Sequence, residues 1–273
     1  RLSAMSEYTD PYVTKLLELD IVYCLDDRSE SRYLALRDKV KAKLASPFSD
    51  EDMQKVTIHL ENAMKEYARV VLSDDAADCK YASARMLCSI EYVIYMANKS
   101  YVKRGIRRIP EELEAMRKLP DGFMRCFDGL VVADSVDEIK SCSTALMGTT
   151  REFAVELSTG LDVKKDITPQ AIDGTYEEIF SNWRSKMHYA AEYDDAYLSL
   201  MTAASCQNFY HEMADEFAIE RIRLFDGFCV GDLSRSAEEF DSAMERYKDL
   251  YSRCGIPVRH YPSIDAFEKD YLR

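Results

Sequence analysis

Residues that turn a polypeptide chain are scarce in this sequence, and that scarcity limits the folds open to it. Only nine Gly and seven Pro occur among 273 residues. Folds built from many short strands need frequent turns, whereas long helices need few. We therefore expect a mainly helical chain.

Apolar residues recur at helical spacing between the turn signals. One stretch carries Tyr33, Leu36, Val40 and Leu44 at intervals of three or four residues, which places them on one face of a helix. The following segment, Ser49–Asp52, is typical of a helix N-terminus because a serine precedes acidic residues that the helix dipole favours. Further helices are predicted over 2–19, 79–101, 111–119 and 134–159.

The second half of the chain continues this pattern, with helices predicted over 175–191, 194–218, 234–254 and 264–272. The total is about nine helices and at most two short strands, over 20–25 and 256–261. Short connections favour antiparallel packing, so we predict an all-α protein of antiparallel helical bundles. The segment 159–174 has the composition of a linker, which divides the chain into one bundle at 1–160 and a second at 170–273.

Composition excludes several classes of protein. The chain has 36 basic and 49 acidic side chains, a formal charge of −13, so general nucleic-acid binding is not expected because phosphates would be repelled. No apolar run is long enough for a membrane span. The start lacks the apolar core of a signal peptide and an initiator Met, which predicts processing or truncation there. The eight cysteines include no C-x-x-C pair, and buried free thiols in a reducing cytoplasm are expected.

A basic segment, Asn98–Arg108, stands out in this acidic chain. Five of its eleven residues are cationic, in the order Lys99, Lys103, Arg104, Arg107 and Arg108. If the preceding helix persists, the first, second and fourth share one face, and such a cluster could hold a phosphate or another anion. The alternative is a solvated helix end, with favourable dipole interactions and neutralisation by the glutamates at 111, 112 and 114.

A second cluster surrounds Trp183, the only tryptophan, with His188, His211 and several tyrosines. Aromatic side chains with polar tips suit the wall of a ligand pocket, but they equally suit the core of a helix pair. Two-residue pairs such as His211 and Asp215 do not make a metal site, which needs at least one more ligand. Adjacent acids at 26–27, 74–75 and 194–195 are typical of solvated turns.

The middle of the chain resembles the helical substrate-binding domain of bacterial nucleotidyltransferases, including the aminoglycoside-adenylyltransferase-like enzymes. The residues that carry the resemblance are Asn98-Lys-Ser-Tyr101 after an apolar helix, the basic cluster, and the Pro110-Glu-Glu-Leu113 helix start that leads to Leu119-Pro120. An opening segment, Ile21-Val-Tyr23 before Asp26-Asp27, also fits. The resemblance covers roughly residues 15–160. The chain departs from the family in lacking a G-S turn followed by D-x-D or D-x-E.

The resemblance implies the substrate- or nucleotide-binding helical part of a nucleotidyltransferase-type protein. Its catalytic domain would precede Arg1, lie on another subunit or be absent, and magnesium and nucleotide would enter only with that domain. No cofactor is expected in this chain itself. The basic residues Lys99, Lys103, Arg104, Arg107 and Arg108 would then hold anionic groups, with Tyr101 stacking on or positioning the ligand.

Three functions stay open at this point. The first is substrate binding, in which an acidic wall such as Glu192 and Asp195 could attract a cationic substrate such as an aminoglycoside. The second is a noncatalytic helical protein that binds other proteins through an acidic surface and a basic patch. The third is a helical enzyme that uses His188, His211 and the tyrosines.

Overall fold

The computed structural model describes residues 13–161, 164–259 and 261–271, with only the backbone of the last two. The chain divides into two compact units, Arg1–Asp162 and Val163–Arg273. The boundary falls within the segment whose composition is that of a linker.

The helices of the first unit are α1 (Val13–Leu17), α2 (Asp27–Ala45), α3 (Asp50–Leu72), α4 (Ala76–Ala97), α5 (Ile109–Glu114), α6 (Phe123–Val132) and α7 (Val136–Thr159). The helices of the second unit are α8 (Pro169–Ile172), α9 (Thr175–Glu178), α10 (Ser185–Glu192), α11 (Ala196–Glu216), α12 (Leu233–Arg253) and α13 (Ile264–Tyr271). A π-helical turn, Ile179–Arg184, joins α9 to α10, and short 3₁₀ turns cover Ile106–Arg108 and Leu224–Asp226.

The prediction of an all-α protein is confirmed. Nine of the described helices have seven or more residues, and the described residues contain no β-strand beyond an isolated bridge between Lys165 and Phe217. The segment 20–25 is irregular, and Val22 is 95% exposed. A strand needs a partner for its backbone hydrogen bonds, and none pairs with this segment within the described part of the chain.

The first unit is built around α4, which packs against α3 and α7. Buried residues of α4 include Met86, Ile90 and Ile94, which meet side chains such as Val56 of α3 and Leu146 of α7 in one apolar core. Burial of this size contributes about 1.5–3 kcal/mol for each large apolar side chain. The apolar stripes of long helices thus determine the packing of this unit.

The start of α3 at Ser49 was predicted correctly, whereas α4 begins at Ala76 rather than at Cys79. The Asp52 carboxylate accepts hydrogen bonds from both the backbone N–H and the hydroxyl of Ser49, at 3.0 and 2.9 Å, as expected for the start of α3. Asp26 and Asp75 each cap a helix by accepting a backbone N–H three residues later. One acid of each pair is therefore a helix N-cap, in agreement with the prediction that these pairs lie at turns.

Helix boundaries between 98 and 133 differ from prediction. Helix α4 ends at Ala97, and α5 ends at Glu114 rather than Leu119. Helix α6 was not predicted, because Gly122 and Gly129 masked the apolar spacing of Phe123, Phe127 and Leu130, all of which are buried. Gly122 precedes this helix with a φ of +74°, in the left-handed region that favours glycine. Of the helix predicted over 2–19, residues 2–12 lie outside the described ranges.

The second unit packs α10 and α12 against each other, with α11 against both. Aromatic rings dominate its core, and Tyr247 of α12 contacts Tyr210, Phe209 and Tyr251 at ring-centroid distances of 5.5–6.0 Å. Such offset and edge contacts add specificity to apolar burial.

Two further sequence predictions can be compared with the described residues. The eight cysteines are free, as predicted, but only Cys79 and Cys206 are buried and Cys88 is exposed. None of the described helices combines the length and the apolar character that crossing a bilayer requires.

Candidate functional site

The basic segment Asn98–Arg108 is a folded corner rather than a continuation of α4. Asn98 caps that helix, and Lys99 follows with a φ of +49°. Gly105 has a φ of +79° and precedes the 3₁₀ turn Ile106–Arg108. The expectation that Lys99, Lys103 and Arg107 share one helical face is therefore wrong, because the helix ends before the first of them.

A buried carboxylate organises this corner. Glu112, 6% exposed in its side chain, accepts hydrogen bonds from the backbone N–H groups of Lys103 and Arg104, at 3.0 and 2.6 Å. The hydroxyl of Tyr95 donates to the same carboxylate at 3.0 Å. Burial raises the pKa of Glu112, but the backbone donors, the Tyr95 hydroxyl and the nearby Arg104 charge outweigh it and leave the pKa below its ordinary value. The basic segment thus binds the Glu112 carboxylate, an anionic group of the protein itself.

Other carboxylates engage the remaining predicted residues. Lys99 forms a largely buried ion pair with Asp52 at 2.6 Å, and the Tyr101 hydroxyl donates to Glu18. Burial, followed by that hydrogen bond, raises the pKa of Tyr101. The Lys99 ammonium and the Tyr101 hydroxyl are therefore occupied by protein groups rather than open to a ligand.

The three arginines of the corner differ in how far they are neutralised. Arg104 lies 3.5 Å from the Glu112 carboxylate, and Arg108 pairs with Glu111. Arg107 is exposed and makes no ion pair with any described residue. The exposed Lys103 contacts the Tyr101 ring at 5.6 Å from its centroid and likewise lacks a carboxylate partner in the described ranges. Lys103 and Arg107 are the cations of the corner that remain accessible to an anion.

A groove of about 660 Å³ lies in the first unit, and residues 117–121 of its lining follow the basic segment closely in sequence. Its apolar lining comes from Phe48, Leu119, Phe153 and Leu157, which belong to the α2–α3 turn, the 115–121 loop and α7. A volume in this range suits a small organic ligand. We call this cavity the first groove.

Charged side chains of both signs line the first groove. Arg117 and Lys118 supply the cations, and Asp121, Glu152 and Glu156 supply the carboxylates. Among the described residues none of these five forms an ion pair within 4.0 Å. Their charges are consequently available to complementary groups of a ligand.

The basic segment positions one wall of the first groove. The Asn98 side-chain amide donates to the backbone carbonyl of Lys118 at 2.7 Å and accepts from its N–H at 2.8 Å. These two hydrogen bonds keep residues 115–121 in a loop conformation. Helix α5 therefore stops at Glu114 and does not reach Leu119 as predicted. Lys118 then directs its ammonium over the Phe48 ring, 5.1 Å from its centroid. Sequence reasoning missed this groove because its walls come from three separate segments.

The cluster around Trp183 is mostly packed into the second unit. Trp183 contacts the Phe209 ring at 5.9 Å. Arg184 binds Asp241 through two hydrogen bonds, at 2.8 and 3.1 Å, and His188 contacts the same carboxylate at 3.0 Å. Asp241, 57 residues away from Arg184, was not identified from sequence. Arg184 and His188 therefore share one carboxylate of α12 and help to hold α12 against the π-helical turn and α10.

The other residues that were candidates from sequence do not come together in one site. Asp195 caps α11 by accepting the Leu198 N–H at 2.9 Å, and neither it nor Glu192 lines a described cavity. Asp215 pairs with Arg221 at 2.6 Å rather than joining His211. No group of three potential metal ligands occurs among the described residues.

No family model, curated protein or solved structure matches this chain.

Proposed function

We propose that this chain is a ligand-binding helical protein, namely the substrate- or nucleotide-binding part of a nucleotidyltransferase-type protein of bacterial kind, and that its ligand occupies the first groove. The observation that carries the proposal is the set of unpaired charges around an apolar floor. Ionised groups left without partners at a cavity wall favour a ligand that carries complementary charge.

The distribution of charge suggests which ligands to test. Arg117 and Lys118 suit a phosphate group, since an arginine can donate two parallel hydrogen bonds and a lysine adds a point charge. Glu152 and Glu156 lie one helical turn apart on α7, where side chains share a face, and suit an amine. A nucleotide for the cationic wall and a polyamine sugar for the acidic wall are the two ligand classes that the resemblance to nucleotidyltransferases also implies.

The accessible cations of the basic segment form a second part of the proposal. Lys103 and Arg107 are exposed without carboxylate partners in the described ranges, so they are suited to assist an anionic ligand. The other predicted residues already contact carboxylates of the protein, so their main role is structural: Lys99, Tyr101, Arg104 and Arg108. Magnesium would be bound by a catalytic domain outside this chain. We also propose that the protein is located in the cytoplasm.

The test is ligand-dependent thermal stabilisation followed by calorimetry. We expect nucleoside triphosphates to raise the melting temperature of the wild type by mass action, and Arg117→Glu with Lys118→Glu to abolish the shift. Loss of one charge-assisted contact costs about 1.5–3 kcal/mol, roughly ten- to a hundredfold in Kd. An aminoglycoside should respond instead to Glu152→Gln with Glu156→Gln.

Two control variants locate the ligand. Arg151→Glu also replaces an arginine by a glutamate, but at a position on α7 that does not line the groove. This variant should bind the ligand as the wild type does. Lys103→Glu with Arg107→Glu tests the basic segment separately. If that variant abolishes binding while the groove variants retain it, the ligand does not occupy the first groove. The absence of any shift with nucleotides and aminoglycosides would refute the proposed function.

A specific observation favours protein binding as a second candidate function. Tyr189 and Tyr193 stack with centroids 4.3 Å apart, and these two residues are 53% and 60% exposed, with Tyr197 at 74%. Exposed tyrosines are enriched in binding interfaces. Crosslinking or co-purification from the native host that is lost in Tyr193→Ser with Tyr197→Ser, but retained in Tyr81→Ser, would support this candidate.

A further inference from the structure

Helix α2 carries an excess of positive charge that the function proposed above does not use. Its 19 residues include six basic and three acidic side chains, in a chain whose formal charge is −13. None of the six cations has an acid four residues away along the helix, the spacing at which opposite charges pair. Like charges at that spacing destabilise a helix, yet three pairs of cations have it: Arg28 with Arg32, Arg37 with Lys41, and Lys39 with Lys43.

Four of these cations lie on one face of α2. At 3.6 residues per turn they fall within about 60° of arc around the helix axis, in the order Arg28, Arg32, Lys39 and Lys43. The four residues extend over about 22 Å at 1.5 Å per residue, and we call them the basic face of α2. Val40, the buried residue of this helix, lies on a different arc, so the basic face is not directed at the core.

The cations of the basic face are accessible. Arg28, Arg32 and Lys39 are exposed, and none of them has a carboxylate within 4.0 Å among the described residues. Lys43 lies 4.0 Å from Glu51, but Lys55 approaches the same carboxylate more closely, at 3.0 Å. At least three positive charges of this face are therefore available to an acidic partner.

Two neighbouring features favour a protein helix as that partner. Small exposed side chains beside the basic face allow a second helix to approach closely, namely Ser31, Ala35 and Ala42. The chain that enters α2 adds apolar surface, since Val22 and Tyr23 are 95% and 82% exposed, and exposed apolar patches mark interaction sites. A phosphate backbone would use neither feature, and the net charge of −13 would repel a long polyanion.

We propose that the basic face of α2 binds an acidic amphipathic helix of a partner protein. The partner helix packs along the small side chains of α2, and its carboxylates pair with Arg28, Arg32 and Lys39. Its apolar residues cover Val22 and Tyr23 at the start of α2. This surface shares no residue with the first groove or with the exposed tyrosines of the second unit, so the inference does not depend on the functions proposed for them.

Fluorescence anisotropy on the full chain tests this surface with a labelled probe peptide. The probe is an alanine-rich helix of about 20 residues, long enough to cover the basic face, with leucines towards one end and glutamates that repeat the spacing of the cations. We expect it to bind more tightly than a scrambled peptide of the same composition, because only the probe has its glutamates on one side. Binding should weaken about tenfold or more in Arg28→Glu with Arg32→Glu and Lys39→Glu, and it should weaken as ionic strength rises.

Matched variants separate the basic face from general effects. Lys65→Glu with Arg85→Glu and Arg151→Glu makes the same change of net charge at exposed positions of α3, α4 and α7, and it should leave the Kd unchanged. Arg28→Gln with Arg32→Gln removes the repulsion between two like charges, so its melting temperature should equal or exceed that of the wild type. Weaker binding by this variant would exclude unfolding as the cause.

Two other anionic probes distinguish the class of partner: a single-stranded oligonucleotide and vesicles that contain phosphatidylserine. We expect the wild type to bind the acidic peptide more tightly than either of them. The proposal is overturned if the wild type prefers the oligonucleotide or the vesicles, or if it fails to bind the probe peptide. Equal binding of the probe and the scrambled peptide, or wild-type binding by the charge-reversed basic face, would also overturn it.

Discussion

Replacement of Glu112 by glutamine tests whether the basic segment is held together by an internal anion. The carboxylate accepts from two backbone N–H groups and the Tyr95 hydroxyl, and it attracts Arg104 at 3.5 Å. Glutamine keeps the size of the side chain, but it loses the charge and turns two acceptor sites into an amide donor. At least one of the three donors then faces another donor.

The structure sets the expected size of the effect. A hydrogen bond to a charged group contributes about 1.5–3 kcal/mol, and an unsatisfied buried group costs about 1–3 kcal/mol. The backbone donors lie in a partly exposed loop, where water can replace some of the loss. We therefore expect Glu112→Gln to lower the free energy of unfolding by roughly 2–4 kcal/mol.

Urea denaturation followed by circular dichroism measures this change, and hydrogen exchange localises it. The amides of Lys103 and Arg104 should lose protection in the variant, since both donate to Glu112. The pH dependence has a definite sign. Because the folded-state pKa of Glu112 is lowered, its contribution is full above the ordinary carboxyl pKa and is lost as pH falls through the folded-state value. The difference between wild type and variant should accordingly shrink below about pH 4.

Glu111→Gln is the matched control. Glu111 is the neighbouring residue, is 49% exposed and pairs with Arg108 at the surface, so its replacement should cost at most about 1 kcal/mol. Equal stabilities of the two variants would refute the internal-anion interpretation of the corner. Unchanged exchange at the amides of Lys103 and Arg104 would do the same.

Four further substitutions test the stability of the first unit. Lys99→Ala removes the ammonium that pairs with the buried Asp52 carboxylate at 2.6 Å and should destabilise by about 3 kcal/mol, measured by urea midpoint. Gly105→Ala should cost about 1–3 kcal/mol because its φ of +79° disfavours other residues, whereas Gly148→Ala, in a helix interior with open space around its Cβ, should gain about 0.5–1 kcal/mol in the same assay. Burial raises the pKa of Glu91 to about 7, so the folded state favours its protonated form and loses stability as pH rises towards 7. Glu91→Gln should therefore be more stable than the wild type at pH 8 but not at pH 4, by thermal melting at both values.

Local features of the fold were predictable from sequence. The start of α3 at Ser49 follows from a cap whose partners lie within three residues, and such short-range chemistry can be read directly from the chain. The unpredicted α6 shows the limit of this reasoning. Its glycines signal a turn by composition, but burial of Phe123, Phe127 and Leu130 offsets the weak local preference.

The candidate sites were less predictable, because their partners are distant in sequence. The sequence indicated a cluster of cations, yet the pairing of Lys99 with Asp52 spans 47 residues and that of Tyr101 with Glu18 spans 83. Charge counting cannot distinguish a cation that awaits a ligand from one already paired inside the protein. The groove at Lys118 likewise required three segments to meet.

The sequence by itself determined an all-helical chain, the cap that starts α3 and the location of its densest positive charge. Those properties depend on apolar period, caps and composition, all of which act over a few residues. The tertiary structure decided that Glu112 binds the backbone N–H groups of the basic corner and that the Tyr210 hydroxyl is buried without an ordinary hydrogen bond to a described residue. Both outcomes depend on which side chains meet after helices pack, because electrostatic and hydrogen-bonding energies are set by distance in space rather than by separation along the chain.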